Sequence, residues 1–249
     1  MATKKKTESN SLAEDYYDAF SEVYLKEYGS IFQTALFYGD HCAVTAGRAP
    51  LSRGDEDSIL DVGCGVGGVM NGLDRLGFSN LTGITNSGKQ VELAKKLNPS
   101  LNIIQSDFMQ WDTDQQFNSV LLNESFGYFP EPTKLIQRIS SVLEFRGLVY
   151  LKDLCAVSDP DLLQQSGLAE LGALWNYKYY TTEEIVQLWD RAGYMQLNGS
   201  NNLWRISDCS SFVRFINGNP ELSKAHFPTI GEVPIKAADF TFGKRSEWQ

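Results

Sequence analysis

Ile59-Leu60-Asp61-Val62-Gly63-Cys64-Gly65-Val66-Gly67-Gly68 is an apolar run that breaks into a glycine-rich turn, with an acid two positions before the first glycine. Ile59 to Val62 has the length of a buried parallel strand. Glycines at 63, 65 and 68 let the backbone turn sharply and approach a ligand with no Cβ in the way. A helix beginning near Val66 would aim its free N–H groups at that ligand. The same glycines satisfy G-x-G-x-x-G, the dinucleotide fingerprint. Asp61, however, would repel a pyrophosphate, and the next apolar run, Leu81-Thr82-Gly83-Ile84, ends in Thr85-Asn86 where a ribose-binding carboxylate belongs. A cationic ligand suits this loop better than a polyanion.

With Asp61 included, the segment resembles the first motif of the class I S-adenosylmethionine-dependent methyltransferases, E/D-x-G-x-G. Gly83-Ile84-Thr85-Asn86-Ser87-Gly88-Lys89-Gln90 is similar to the G-[IVL]-T-x-S-x-x-Q variant of their second motif. That variant belongs to a small-molecule branch holding tocopherol and geranyl diphosphate C-methyltransferases and cyclopropane synthases. The resemblance runs from about residue 55 to 200. It implies an α/β, Rossmann-like fold: a seven-stranded sheet with helices on both faces, an N-terminal helical lid and a helical insertion before the last strand. It also implies S-adenosylmethionine as cofactor, with Asp61, Gly63, Cys64 and Gly65 at its methionine end and Thr85, Asn86 and Gln90 at its ribose. Asn102 to Phe108 looks like the third strand, with Asp107 and Phe108 at the adenine and Trp111 stacking nearby. Phe117 to Ser125 looks like the fourth strand, whose Asn123-Glu124-Ser125 tract matches one in which the Glu faces a carbocation. Glu144-Phe145-Arg146-Gly147 stands where the family carries an L-x-P-G-G turn.

A chain of 249 residues with a formal net charge of −9 suits one soluble α/β domain. Nucleic acid and anionic membranes are poor partners for it, since no basic stripe is visible. Cys42, Cys64, Cys155 and Cys209 are scattered, so neither a zinc site nor a disulfide framework is indicated, and a reducing, cytoplasmic setting is expected. No metal is expected either. Residues 1–11 read as a disordered tail without a secretory signal, and no run reaches the length of a membrane span.

From Leu12 to about residue 50 the pattern predicts two helices. Tyr16-Tyr17-Asp18-Ala19-Phe20-Ser21-Glu22-Val23-Tyr24 carries aromatics at helical spacing, and a second apolar stretch ends at Phe37-Tyr38-Gly39-Asp40-His41. The tyrosine stripe reads either as helix packing or as a lid; in the family such a helix covers the cofactor and forms a wall of the acceptor site, with Tyr16, Tyr24 and Tyr38 as its phenols. Thr181-Thr182-Glu183-Glu184 predicts a capped helix running to Ala192. Residues 200–235 are expected to be an acceptor-side insertion opening with a helical tract, and 236–244 a closing strand with alternation at Phe240-Thr241-Phe242. Residues 12–249 thus read as one domain.

Methyl transfer from a sulfonium is an in-line displacement that requires positioning and no covalent enzyme nucleophile. Glu124, at the tip of the fourth strand, is the leading candidate for a base or cation-stabilising carboxylate. Tyr16 and His41 are further catalytic candidates; His226 is the other histidine. The expected reaction is methylation of a small organic acceptor. Two alternatives stand beside it: a non-catalytic cofactor-binding or regulatory protein of the same fold, and a macromolecule methyltransferase, which would carry a basic groove or an N/D-P-P-Y/F tetrapeptide.

Overall fold

The computed structural model describes residues 8–30, 57–158, 168, 172–173, 176–205 and 235–248. In chain order the elements are α1 (Glu8–Tyr28), β1 (Ile59–Val62), α2 (Gly68–Arg75), β2 (Leu81–Thr85), α3 (Gly88–Leu97), β3 (Asn102–Gln105) and β4 (Phe117–Asn123). A 3-10 turn (Phe126–Tyr128) follows, then α4 (Pro132–Val142), β5 (Leu143–Ala156), α5 (Thr182–Arg191), β6 (Tyr194–Arg205), β7 (Ile235–Lys244) and the short α6 (Arg245–Trp248).

The strands form one sheet in the order β3-β2-β1-β4-β5-β7-β6. β1 to β5 run parallel, and β7 is antiparallel to both β5 and β6. Alternation along the central strands sends side chains to two cores. Leu60, Val62, Val120 and Leu122 join Ile136, Ile139 and Trp189 from α4 and α5 on one face. Ile59, Leu121 and Tyr150 join Val69, Met70, Leu73 and Val91 from α2 and α3 on the other. Both faces are covered, which is why β1 and β2 are buried at every position, their polar Asp61, Thr82 and Thr85 included. The strand order reverses between β1 and β4, so a crevice opens beyond their carboxyl ends, where an open α/β sheet takes its ligand.

Helix α5 begins as its sequence predicts. Thr181 Oγ1 accepts from the Glu184 N–H at 3.1 Å, and Glu184 Oε2 accepts from the Thr181 N–H at 2.8 Å, completing a capping box.

Several expectations are corrected. Helix α1 starts at Glu8, so residues 8–11 of the expected tail are helical. Helix α2 starts at Gly68, two residues later than expected, because the turn takes a further left-handed residue at Gly67 (φ 73). Gly68 is not among the positive-φ glycines; Gly63 (φ 79), Gly65 (φ 58) and Gly67 are. A Cβ on Gly67 would lie 2.5 Å from Ile103 Cδ1, so the turn packs directly on β3. Glu144 to Gly147 do not make a separate turn. Phe117 pairs with Leu143 and Ser119 with Leu148, so these residues bulge out of β5, with Arg146 at φ 57. Residues 201–205, expected to open a helix, extend β6 instead, since β7 is long enough to pair with them as far as Arg205↔Lys236. The second predicted helix with Tyr38 and His41, and the insertion beyond Arg205 with His226, lie outside the described residues. No helix among the described residues is long and apolar enough to cross a membrane.

Candidate active site

Beyond the carboxyl ends of β1, β2 and β4 lies a cavity of about 200 Å³. Its floor is the glycine turn. Gly63 and Cys64 donate their N–H groups to the Ile84 carbonyl at 2.9 and 3.1 Å, which folds the chain back over β2. A Cβ on Gly63 would meet Ser125 Cβ at 2.7 Å, and Ser125 in turn donates its hydroxyl to the Val62 carbonyl at 2.7 Å. The β1 and β4 loops are therefore locked together through one glycine.

Along one wall Thr85 donates its hydroxyl to Gln90 Oε1 at 2.6 Å, and both line the cavity with Asn86. Asp107 and Phe108 close that end; the Asp107 carboxylate accepts from the Met109 N–H at 2.9 Å and the Gln110 amide at 2.8 Å. Trp111, expected to stack nearby, is instead packed on the core against Phe117, with ring centroids 6.3 Å apart. The Arg138 guanidinium donates to the Trp111 backbone carbonyl.

The roof is α1. Asp18 accepts from the Ser87 hydroxyl and, at 3.2 Å, from the Lys89 N–H, while Glu22 pairs with Lys89 Nζ at 2.5 Å. Tyr17 and Tyr128 share a hydrogen bond of 2.5 Å between hydroxyls, and Tyr16 bonds Tyr24. These tyrosine rings pack on each other and also line the cavity.

Glu124 adopts φ 52, a left-handed conformation unusual for a residue with a side chain. Its N–H donates to the Lys152 carbonyl at 2.7 Å, and its carboxylate lies 3.2 Å from Lys152 Nζ. Lys152 itself is 1% exposed, at the centre of a buried group formed with Asp61, Glu124 and Asp153. Burial pulls the Lys152 ammonium down from its ordinary value, while Glu124, Asp153 and Asp61 oppose this. Burial pushes the Asp61 carboxyl up to about 7, against the pull of the adjacent Asn123 amide and of Lys152. Asp153 is likewise raised to about 7 by burial, against the hydroxyl of Tyr177 and the N–H of Leu154, which both donate to it. Asp61 is set behind the cavity wall, whereas Asn123, Glu124, Gly63, Cys64 and Gly65 line it.

These two raised carboxyls make stability depend on pH. Between about pH 4 and 7 the folded chain keeps protons on Asp61 and Asp153 that the unfolded chain, with ordinary carboxyls near 3.9, has already lost. Their contribution is fully present below that window, falls as pH rises through it and is gone above 7. Urea midpoints of Asp61→Asn should accordingly fall less between pH 4.5 and 7.5 than those of the wild type. An equal fall in both would contradict the buried, protonated state.

Polar atoms without partners point to a ligand. Ser21 Oγ, Asp61 Oδ1, both amide atoms of Asn123 and the Tyr179 hydroxyl are buried without a hydrogen bond. In a folded chain such atoms are costly unless something else satisfies them. Ser21, Asn123 and Tyr179 line the cavity, and Asp61 stands beside Asn123. A polar ligand under α1 accounts for Ser21, Asn123 and Tyr179, which line the cavity. The residues not foreseen from sequence are Lys152, Asp153, Tyr128, Tyr177 and Tyr179. Their one signal is Lys152-Asp153, a charged pair inside an otherwise apolar strand.

A left-handed glycine turn after β1 and a cavity at the switch point of a seven-stranded sheet with an antiparallel β7 define the class. A family model described as "Methyltransferase domain" matches residues 38–197, more than half the chain, and the protein belongs to that family. Over 151 residues, 54% of this chain, it is 29% identical to the sterol 24-C-methyltransferase of Saccharomyces cerevisiae, but the match spans only 39% of that relative's length. Two solved structures share the fold. Geranyl diphosphate C-methyltransferase from Streptomyces coelicolor A3(2), in complex with Mg2+, geranyl diphosphate and S-adenosyl-L-homocysteine, superposes with a TM-score of 0.65 at 15% identity, covering 82% of this chain and 78% of that one. Haemonchus contortus phosphoethanolamine N-methyltransferase 2, in complex with S-adenosyl-L-methionine, gives 0.75 at 15%, covering 98% and 61%.

Proposed function

We propose that the protein is an S-adenosylmethionine-dependent methyltransferase acting on a small organic acceptor. The observation that carries this is the set of unsatisfied buried polar atoms around a cavity floored by Gly63 and Gly65 and roofed by α1. Those groups fit the cofactor. Asp61 and Asn123 suit its ammonium, the Gly63–Gly65 backbone its methionine chain, Thr85, Asn86 and Gln90 its ribose, and Asp107 and Phe108 its adenine. Bound there, the cofactor supplies an electrophilic methyl group. Tyr16 and Tyr17 exclude water from the reaction space, and Glu124, held by Lys152, faces the acceptor as a fixed negative charge. A roof this close favours a small acceptor over a macromolecule. The two buried thiols, Cys64 and Cys155, suit a reducing, cytoplasmic setting.

Isothermal titration with S-adenosylmethionine and S-adenosylhomocysteine should give micromolar binding, with no heat from NAD. Asp61→Ala should weaken S-adenosylmethionine by at least about tenfold, a loss of roughly 1.4 kcal/mol. Binding of NAD alone would overturn the reading. Unchanged affinity in folded Asp61→Ala would remove Asp61 from the site.

A further inference from the structure

We propose that the acceptor is an amine, whose nitrogen sits within a cage of Tyr17, Tyr128, Tyr177 and Tyr179 and leaves it as a methylated ammonium. This rests on the methyltransferase reading and names the substrate class of the same cavity.

The four rings come from three separate parts of the chain. Tyr17 and Tyr128 meet edge to face at 5.9 Å, Tyr128 and Tyr177 at 4.8 Å, and Tyr177 and Tyr179 lie 4.8 Å apart. The fold builds this contact deliberately close. A Cβ on Gly127 would lie 2.4 Å from Tyr177 Cζ, and the Lys178 N–H donates to the Gly127 carbonyl at 2.9 Å. Burial pushes the pKa of all four phenols up and so suppresses their ionisation, leaving neutral, electron-rich faces. Such faces attract cations.

Charge points the same way. The described residues lining the cavity include the carboxylates Glu14, Asp107 and Glu124 and no Lys, Arg or His. A phenol or carboxylic acid must become an anion before it can be methylated on oxygen, and a cavity lined by three carboxylates and by no cationic side chain, with Lys152 engaged behind Glu124, opposes that ionisation. An unfunctionalised alkene would leave the Tyr179 hydroxyl without a partner, as it is now. An amine meets both demands, because its N–H or lone pair can bond that hydroxyl. The acceptor enters as an ammonium and first gives an N–H proton to the Glu124 carboxylate in the cavity lining; the nitrogen lone pair so freed forms the N–C bond while the C–S bond breaks. The C–S electron pair goes to sulfur, and the positive charge passes from sulfur to nitrogen. A primary or secondary amine then releases its N–H proton to water. Until that proton leaves, the charge on nitrogen lies among the tyrosine rings, and on a tertiary amine it remains there.

The test uses the full chain saturated with S-adenosylhomocysteine, titrated with choline and with its neutral isostere 3,3-dimethylbutan-1-ol. Choline should bind at least about tenfold more tightly. Tyr128→Leu and Tyr179→Leu should each cut that preference below about threefold, with a cooperative urea transition in both as the check on folding. Tyr179→Phe should keep the choline preference but weaken protonated N,N-dimethylethanolamine, which has an N–H to donate. Equal binding of the two isosteres, a preference for the alcohol, or no binding of either would overturn the amine assignment and leave the cofactor reading standing. Failure of S-adenosylhomocysteine to bind would instead bring down the methyltransferase reading itself.

Discussion

Gly63→Val is expected to abolish measurable cofactor binding while leaving the sheet folded. Position 63 has φ 79, which costs a residue with a side chain about 1–2 kcal/mol, and more when it is β-branched. The new Cβ would also lie 2.7 Å from Ser125 Cβ. Ser125 cannot yield without breaking its 2.7 Å bond to the Val62 carbonyl, and it follows directly on Glu124. Both loops that floor the cavity must therefore shift, and a loss of at least about 100-fold in S-adenosylmethionine affinity follows, or roughly 2.7 kcal/mol. Gly65→Ala is the contrast. It carries the same kind of backbone cost at φ 58, but the nearest atom to its Cβ, Gln90 Nε2, is 3.9 Å away. Its loss should stay near tenfold. Equal effects of the two would mean that the Ser125 contact is unimportant.

Lys152→Met should be the most destabilising single change in the site. It leaves Glu124 without its partner and removes the one positive charge shared by Asp61, Glu124 and Asp153. Removing one member of a buried pair costs about 3–5 kcal/mol. For a domain of this size that is a fall in Tm of roughly 10 °C. Adding Glu124→Gln to Lys152→Met should restore part of the loss, because the uncompensated charge goes with it. Urea unfolding of the single and double variants measures this. A single variant within about 1 kcal/mol of the wild type would show that the lysine is not holding the cluster together.

How far the sequence discloses this site follows from the range of the forces involved. β1, its glycine turn and β4 were legible because burial on both faces leaves unbroken apolar runs, and because a sharp turn under a ligand demands glycine. The capping box of α5 was legible because it spans four consecutive residues. Gly67 was misread in favour of Gly68 because its need for φ 73 comes from Ile103, on another strand. Lys152 went unseen for the same reason: its meaning depends on Glu124 and Asp61, brought to it only by β1, β4 and β5 lying side by side. Residues 201–205 read as the opening of a helical tract, yet β7 holds them as strand through register shifts at Gln196/Asn198 and Ser200/Trp204. Tyr177 and Tyr179 carry no period in the sequence that would attach them to Tyr17.

Helix α1 is fastened at two places that serve different ligands. Asp18 and Glu22 hold it to the start of α3, beside the ribose-facing side chains, and Tyr17 holds it to Tyr128, among the cage rings. A rigid helix cannot release one attachment and keep the other at full strength. Under the proposed function, any movement that lifts α1 uncovers both ends together, so exchange of cofactor and exchange of acceptor are expected to be coupled.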